Sequence, residues 1–242
     1  MKKRIFIVIP AYNAEDTLED VLKRIPDEFK NKDRVIVVDD ASTDRTHQIA
    51  RDFGAIFIKH PKNRGYGGAQ KTGFIEALKR GADVAVLLHA DGQYPPEDIP
   101  RMIKPIIDNE CEAVSGSRIL GGNVLRGGMP HYKYFGSLFL TSLENIFFGM
   151  GISEFHSGYR AYSRRVLENI NFNLNSDKFI FDSEILLQIK EKKMKIKEIK
   201  IPTFYGAEVS YLDPIKYGLR ILGIIIRYSL HKTRLVNLKQ FE

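Results

Sequence analysis

The chain has no tryptophan and a single cysteine, Cys111, so no intrachain disulfide is available and the composition suits a reducing compartment. Long apolar runs are also missing. The start, "MKKRIFIVIPAYN", carries a basic cluster but only a short apolar run before Pro10, too little for a signal-peptide core. No stretch reaches the roughly 18 uninterrupted apolar residues of a spanning helix. Internal repeats, low-complexity tracts and Ser-rich linkers are absent as well. These absences predict a cytoplasmic protein. At 242 residues with 43% hydrophobic content, residues 1–242 can form one domain with an adequate core of its own, without a structural metal.

What is present starts with charge. Lys and Arg number 37 against 30 Asp and Glu, a net charge of +7, which favours anionic partners: nucleic acid, anionic lipid or phosphorylated substrates. The basic residues are scattered and form no recognisable nucleic-acid-binding motif, so nucleic acid is not expected.

Residues 4–10, 34–40, 55–60, 83–89 and 112–118 are short runs rich in β-branched residues. Near-continuous hydrophobicity implies strands buried on both faces, as in a parallel sheet covered by helices. Between them, Leu18, Val21, Leu22 and Ile25 recur at helical spacing, as do Phe74, Ala77 and Leu78, then Ile99, Met102, Ile103 and Ile106. Pro100 and Pro105 should shorten or kink the last of these helices. The alternation predicts an α/β fold with a doubly wound, Rossmann-like, mostly parallel sheet.

Beyond residue 118 the pattern changes. "LGGNVLRGGMPHYKYFG" reads as a long loop, residues 135–152 as an apolar segment interrupted by Glu144-Asn145, and "KIKEIKIP" (195–202) as a half-exposed edge strand. Asp213-Pro214 is a cap and first-turn pair for a helix running to about Arg234. On that helix Lys216, Arg220, Arg227, His231 and Arg234 fall in a stripe roughly 60° wide on an otherwise apolar cylinder. Such a helix fits a lipid interface, and equally a packed helix with one wet face.

In open α/β sheets ligands bind beyond the carboxyl ends of the strands. Polar groups gather at three such exits: Pro10-Ala11-Tyr12-Asn13 with Glu15, then Asp39-Asp40, then "HADGQ" with His89, Asp91 and Gln93 at alternate positions. Residues two apart in an extended chain point the same way, so His89 and Asp91 project together. An ion bridging a diphosphate needs only one or two protein ligands, because phosphate and water complete its shell. "GYGGAQKT", starting at Gly65, nearly matches a phosphate-binding P-loop, but Gln70 stands where the second glycine belongs. Gly65, Gly67 and Gly68 read instead as a tight turn whose amides could approach a ligand.

"VIPAYNAEDTLEDVL", "VIVVDDASTDRT", "NRGYGGAQKTG", "HADGQYPPEDI", "GSR" and "SGYRAYSRRVL" follow one another in this order. The ordered set resembles glycosyltransferase family 2, in particular the dolichyl-phosphate mannose and glucose synthases, over roughly residues 4–205. The resemblance implies a GT-A fold. It makes 1–118 the nucleotide-sugar half, 119–212 the acceptor side and 213–234 a C-terminal amphipathic helix.

It also implies a divalent cofactor, Mn²⁺ or Mg²⁺, and inverting transfer from a GDP- or UDP-linked sugar. Pro10, Ala11, Tyr12 and Glu15 resemble the pocket floor, Asp39 and Asp40 the base or ribose contact, and Asp91 and Gln93 the metal-binding acid and amide. Arg118 resembles a basic residue near the phosphates and Arg160 one on the acceptor side; Arg126 and Lys133 add charge there. His89 replaces the motif's usual first aspartate, either as a third metal ligand or as a hydrogen-bonding neighbour. "EVSYL" (208–212) replaces an expected basic element.

A sugar hydroxyl as acceptor requires a base, for which Asp182 and Glu184 are the candidates, with a plain role at a helix start as the alternative. A polyprenyl phosphate requires none. The favoured expectation is the lipid phosphate, with peripheral contact at the cytoplasmic membrane face. Transfer to a saccharide is the main alternative; a sugar nucleotidyltransferase would place a Gly-rich loop where "PAYNAE" stands.

Overall fold

The β-branched runs form strands as their hydrophobicity predicts. The computed structural model describes residues 3–205 and 213–242. In chain order it contains β1 (Ile5–Ala11), α1 (Leu18–Arg24), β2 (Val35–Asp39), α2 (Thr46–Phe53), β3 (Ile56–Lys59), α3 (Tyr66–Lys79), β4 (Val84–Leu87), α4 (Ile99–Ile107) and β5 (Ala113–Ser117). Then follow α5 (Arg118–Gly121), α6 (His131–Phe148), β6 (Arg160–Ser163), α7 (Arg164–Asn169), α8 (Phe181–Glu191), β7 (Ile196–Lys200) and α9 (Pro214–Lys232).

One sheet holds all seven strands in the order β3-β2-β1-β4-β6-β5-β7. Every pairing is parallel except the two that β6 makes, antiparallel to β4 and to β5. The strand order reverses between β1 and β4, the switch point where a crevice opens at the carboxyl edge. Two apolar layers cover the faces. One packs Leu18, Leu22, Ile99 and Met102 of α1 and α4 on the sheet, the other Phe74, Val166, Phe181 and Ile185 of α3, α7 and α8.

The helical patterns and the edge strand are observed. Pro100 sits in the first turn of α4, where no amide hydrogen bond is lost, and Pro105 lies within its last turn. β7 is the sheet edge with alternating exposure. Three details depart from expectation. The segment read as a loop over 120–136 becomes helix from His131 onward, because its Tyr and Phe side chains continue into the apolar run that follows. β4 ends at Leu87, although the Leu88 amide still bonds Val8 O at 3.0 Å. β6 was not anticipated, since four residues led by arginine carry no apolar run.

A third apolar cluster lies away from the sheet. Phe148 of α6, Leu186 and Leu187 of α8, and Tyr217, Ile221, Ile224 and Tyr228 of α9 pack together. Asp213 caps α9 by accepting from the Ile215 and Lys216 amides, both at 3.1 Å. Among the described residues no helix is long and apolar enough to cross a membrane.

Candidate active site

The strand exits are stitched together by their own polar groups. After β1, the Asn13 amide donates to Ser42 Oγ (2.9 Å), Ala14 to Thr46 Oγ1 (2.8 Å) and Glu15 to Asp44 Oδ2 (3.0 Å). Asp40, after β2, accepts from the Arg64 amide (2.8 Å), the Gly65 amide (2.7 Å) and His60 Nδ1 (2.6 Å), tying the turn before α3 to the sheet. Tyr66 then reaches His89 Nε2 at 2.7 Å, and Thr17 Oγ1 donates to Ala90 O at 2.6 Å, closing the circuit back to β1. Asn13 and Ala41 hold left-handed backbone at φ 47° and 68°, a conformation disfavoured for non-glycine residues and concentrated at functional edges.

Within this circuit opens a cleft of about 910 Å³. Of the residues singled out in the sequence, Pro10, Ala11, Tyr12, Asp40, Gly65, His89 and Asp91 line it. His89 Nδ1 and Asp91 Oδ2 face each other at 3.9 Å, with the Asp91 side chain 40% exposed. That gap is less than twice a metal–oxygen bond of about 2.1 Å, so one cation fits between them. Among the described residues no group of three or more His, Cys, Asp or Glu side chains converges, so such an ion would take its remaining ligands from a bound diphosphate and water. Gln93 donates its amide to Asp91 Oδ1 at 3.0 Å, and its side chain does not line the cleft.

The remaining residues lie elsewhere. Asp39 is fully buried behind Asp40 and accepts from the Ser42 amide at 2.7 Å. Glu15 accepts from the Arg45 amide and guanidinium, holding the loop after β2. Arg118 is buried; its amide and Nε donate to Glu154 at 2.7 and 2.9 Å and its Nη1 to Tyr205 Oη at 3.2 Å. The Glu154 charge outweighs burial and keeps this guanidinium charged. Arg160 is fully buried and donates to the carbonyls of Ser157, Phe155 and Asp182; it presents no surface to an acceptor and instead anchors β6 to α8. Arg126 lines a separate cavity of about 450 Å³ with Lys200 and Thr203, and Lys133 stands 5.3 Å over the Tyr205 ring.

Neither proposed base lines the cleft. Asp182 accepts from Tyr66 Oη at 3.1 Å and Gln70 Nε2 at 3.3 Å. Glu184 accepts the Ser176 amide at 2.5 Å, and burial raises its pKa. The amides of Gly67 and Gly68 point at Asp177 O (2.9 and 3.4 Å), so the glycine turn docks against protein. A Cβ on Gly67 would lie 2.4 Å from Ser176 O. The element "EVSYL" lies outside the described residues.

Sequence reasoning missed the cations that do line the cleft, Lys178, Lys216 and Arg220. Lys216 and Arg220 were assigned to a stripe on the last helix; only the packing of α9 brings its first turns over the cleft.

The family model for glycosyl transferase family 2 matches residues 6–170. A UDP-N-acetylglucosamine–dolichyl-phosphate N-acetylglucosaminyltransferase of Methanococcus voltae is 35% identical over 84% of this chain and 86% of its own length. A dolichyl-phosphate hexose transferase of Haloferax volcanii is 30% identical over 93% and 94%. Among solved structures, glucosyl-3-phosphoglycerate synthase of Mycobacterium tuberculosis with Mn²⁺, UDP and phosphoglyceric acid superposes with a TM-score of 0.67 at 20% identity, over 94% of this chain and 76% of that one. The chain belongs to glycosyltransferase family 2, and its mixed seven-stranded sheet is the GT-A fold.

Proposed function

We propose that this glycosyltransferase moves a hexose, with inversion, from a nucleoside diphosphate sugar to a polyprenyl phosphate presented at a lipid surface. The observation that carries the acceptor is the outer face of α6 and α9. Tyr132, Phe135, Phe139, Ile146 and Phe147 of α6 are exposed, as are Ile215, Leu219, Leu222, Ile226 and Leu230 of α9. Ile146 is 73% and Ile215 76% accessible. An apolar area of this extent on a soluble face is costly unless something covers it. It is continuous with the cleft, because α9 also contributes Lys216, Tyr217 and Arg220 to the cleft wall. A lipid tail on that face would place its phosphate beside these cations.

The chemistry suits an acceptor that is already an anion. An oxygen of the lipid phosphate attacks the anomeric carbon as the bond to the leaving diphosphate breaks, one displacement with inversion. No proton has to be removed, and Asp182 and Glu184 stand outside the cleft. Lys178, Lys216 and Arg220 supply positive charge beside the incoming phosphate. His89 and Asp91 would hold the divalent cation, which when bound stabilises charge building on the leaving group. The two archaeal relatives are named for dolichyl-phosphate acceptors, and the solved synthase was captured with Mn²⁺ and UDP.

The test is a panel of UDP- and GDP-sugars offered with polyprenyl phosphate in vesicles, or with soluble saccharides, in the presence of Mn²⁺ or Mg²⁺. Metal-dependent formation of a polyprenyl-phosphate sugar is expected. Transfer to saccharides alone would overturn the acceptor assignment.

A further inference from the structure

The carboxylate that looked like a base in the sequence stands at the far end of a hydrogen-bonded chain leading to His89. Tyr66, the first residue of α3, places its hydroxyl between two partners, Asp182 Oδ2 at 3.1 Å and His89 Nε2 at 2.7 Å. The other Asp182 oxygen takes the Gln70 amide at 3.3 Å and faces the Arg160 guanidinium at 4.0 Å. The imidazole is held between two tyrosine rings. Tyr66 and Tyr94 meet it edge-on, with centroids at 5.2 and 4.9 Å, and the Tyr66 ring is itself stacked on Phe179. A Cβ on Gly158 would lie 2.3 Å from His89 Nε2 and 2.6 Å from the Tyr66 hydroxyl, so only glycine leaves room for the contact.

Counting hydrogens along this chain fixes where the proton of His89 sits. A carboxylate accepts and a phenol has one hydrogen to give. If Tyr66 gave its hydrogen to His89, two oxygens would face each other at 3.1 Å with nothing between them. The phenol therefore donates to Asp182, and the hydrogen in the Tyr66–His89 contact comes from Nε2. Neutral His89 then has its lone pair on Nδ1, aimed across 3.9 Å at Asp91 Oδ2. A divalent ion between these two electron-pair donors would take a ligand from each.

We propose that Asp182 and Tyr66 are positioning residues that fix the Nε2–H tautomer of His89 and so make Nδ1, with Asp91, a ligand pair for the divalent ion. This rests on the metal-dependent reading of the cleft given above. It explains why a histidine serves where a carboxylate is usual: a ligating imidazole needs a partner on its other nitrogen to set tautomer and ring angle, and this chain supplies one.

The test reads the tautomer directly. Protein with ¹⁵N-labelled histidine, free of metal, is examined by two-bond ¹H–¹⁵N NMR, with His89→Gln assigning the signal. The native protein should carry the proton on Nε2. In Tyr66→Phe the proton should move to Nδ1, drawn by Asp91, and Mn²⁺ affinity measured with UDP present should fall by roughly 10-fold or more. Asp182→Asn keeps the volume and can turn an N–H toward Tyr66, so the same shift is expected without a cavity. A proton on Nδ1 in the native protein overturns the relay. So does Tyr66→Phe with unchanged histidine signals and unchanged Mn²⁺ affinity. Native protein that binds no Mn²⁺ with UDP would instead overturn the metal reading, and the NMR result separates the two failures.

Discussion

The cleft has two walls of different construction. The wall made by the exits of β1, β2 and β4 is closed on itself: amides, carboxylates and hydroxyls bond one another from Asn13 round to Ala90, and the side chains at its rim are held by backbone. The opposite wall is made by the start of α9, with α6 packed beside that helix, and it is tied on its inner side. There Glu144 of α6 accepts from Ser183 of α8 at 2.6 Å and lies 3.2 Å from His156, which bonds Tyr217 of α9 at 2.7 Å. Its outer side exposes large apolar side chains beside a narrow stripe of cations. A rigid polar wall suits a small charged donor of fixed shape, and an unfinished apolar wall suits an acceptor that brings its own lipid.

The most severe way to break this contrast is at the rigid wall. Asp91→Ala should reduce kcat/KM by roughly 10²- to 10³-fold, the range for losing one charge-stabilising group, with the thermal midpoint nearly unchanged because the side chain is 40% exposed. Turnover assays beside calorimetry check this; full activity would remove Asp91 from the site. The soft wall should fail differently. Phe139→Glu with Ile226→Glu should lower binding to polyprenyl-phosphate vesicles by on the order of 100-fold or more, since each of the two large side chains contributes about 1.5–3 kcal/mol when buried. Donor binding should be untouched. Equal loss of donor binding would mean that the two walls are not separable.

Glu144 and His156 give a test of the inner tie. Burial pushes Glu144 up to about 8 and His156 down to about 3, the second aided by the charges of Arg118 and Arg160. Both are therefore neutral in the folded protein around pH 6. A carboxyl raised on folding contributes stability that is complete below the unfolded value near 4.5 and is lost as pH rises toward 8. A histidine lowered on folding costs stability as pH falls from about 6.5 toward 3. Between about 4.5 and 6.5 the two slopes oppose each other, and above 6.5 only the Glu144 slope remains. Unfolding free energy should thus fall by about 2 kcal/mol from pH 6.5 to 8, at about 1.4 kcal/mol per unit. Glu144→Gln should flatten that arm in urea titrations, and a native protein without it would mean that the pair is ionised.

The rigid wall was far more legible in sequence than the soft one. Strand periodicity and the switch-point rule placed Pro10, Asp40, His89 and Asp91 on one edge, because a parallel sheet puts all its β-to-α exits on one side. Long-range partners could not be read that way. Arg160 carries a charge that suggests a ligand contact, yet three backbone carbonyls use it, and that arrangement exists only once β6 enters the sheet in reverse direction. Asp182 likewise looked like a base because its partner Tyr66 is 116 residues away. The helical wheel of the last segment showed apolar breadth and a basic stripe, but not that Tyr217, Ile221, Ile224 and Tyr228 face inward while Ile215, Leu219 and Ile226 face outward.

The smallest expected effect lies where the walls meet. Lys216 is in the first turn of α9, its side chain 74% exposed and 3.4 Å from Asp213, and it lines the cleft. An exposed cation near a phosphate contributes roughly 1 kcal/mol and is screened by salt. Lys216→Ala should raise KM for the polyprenyl phosphate by about 5-fold at low ionic strength and by less in 0.5 M salt, while KM for the nucleotide sugar stays the same. The split matters more than the size. Lys216 comes from the soft wall, so if the apolar face seats the lipid, its charge belongs to the acceptor phosphate. A rise in donor KM instead would assign α9 to the diphosphate and leave the apolar face without a phosphate partner beside it.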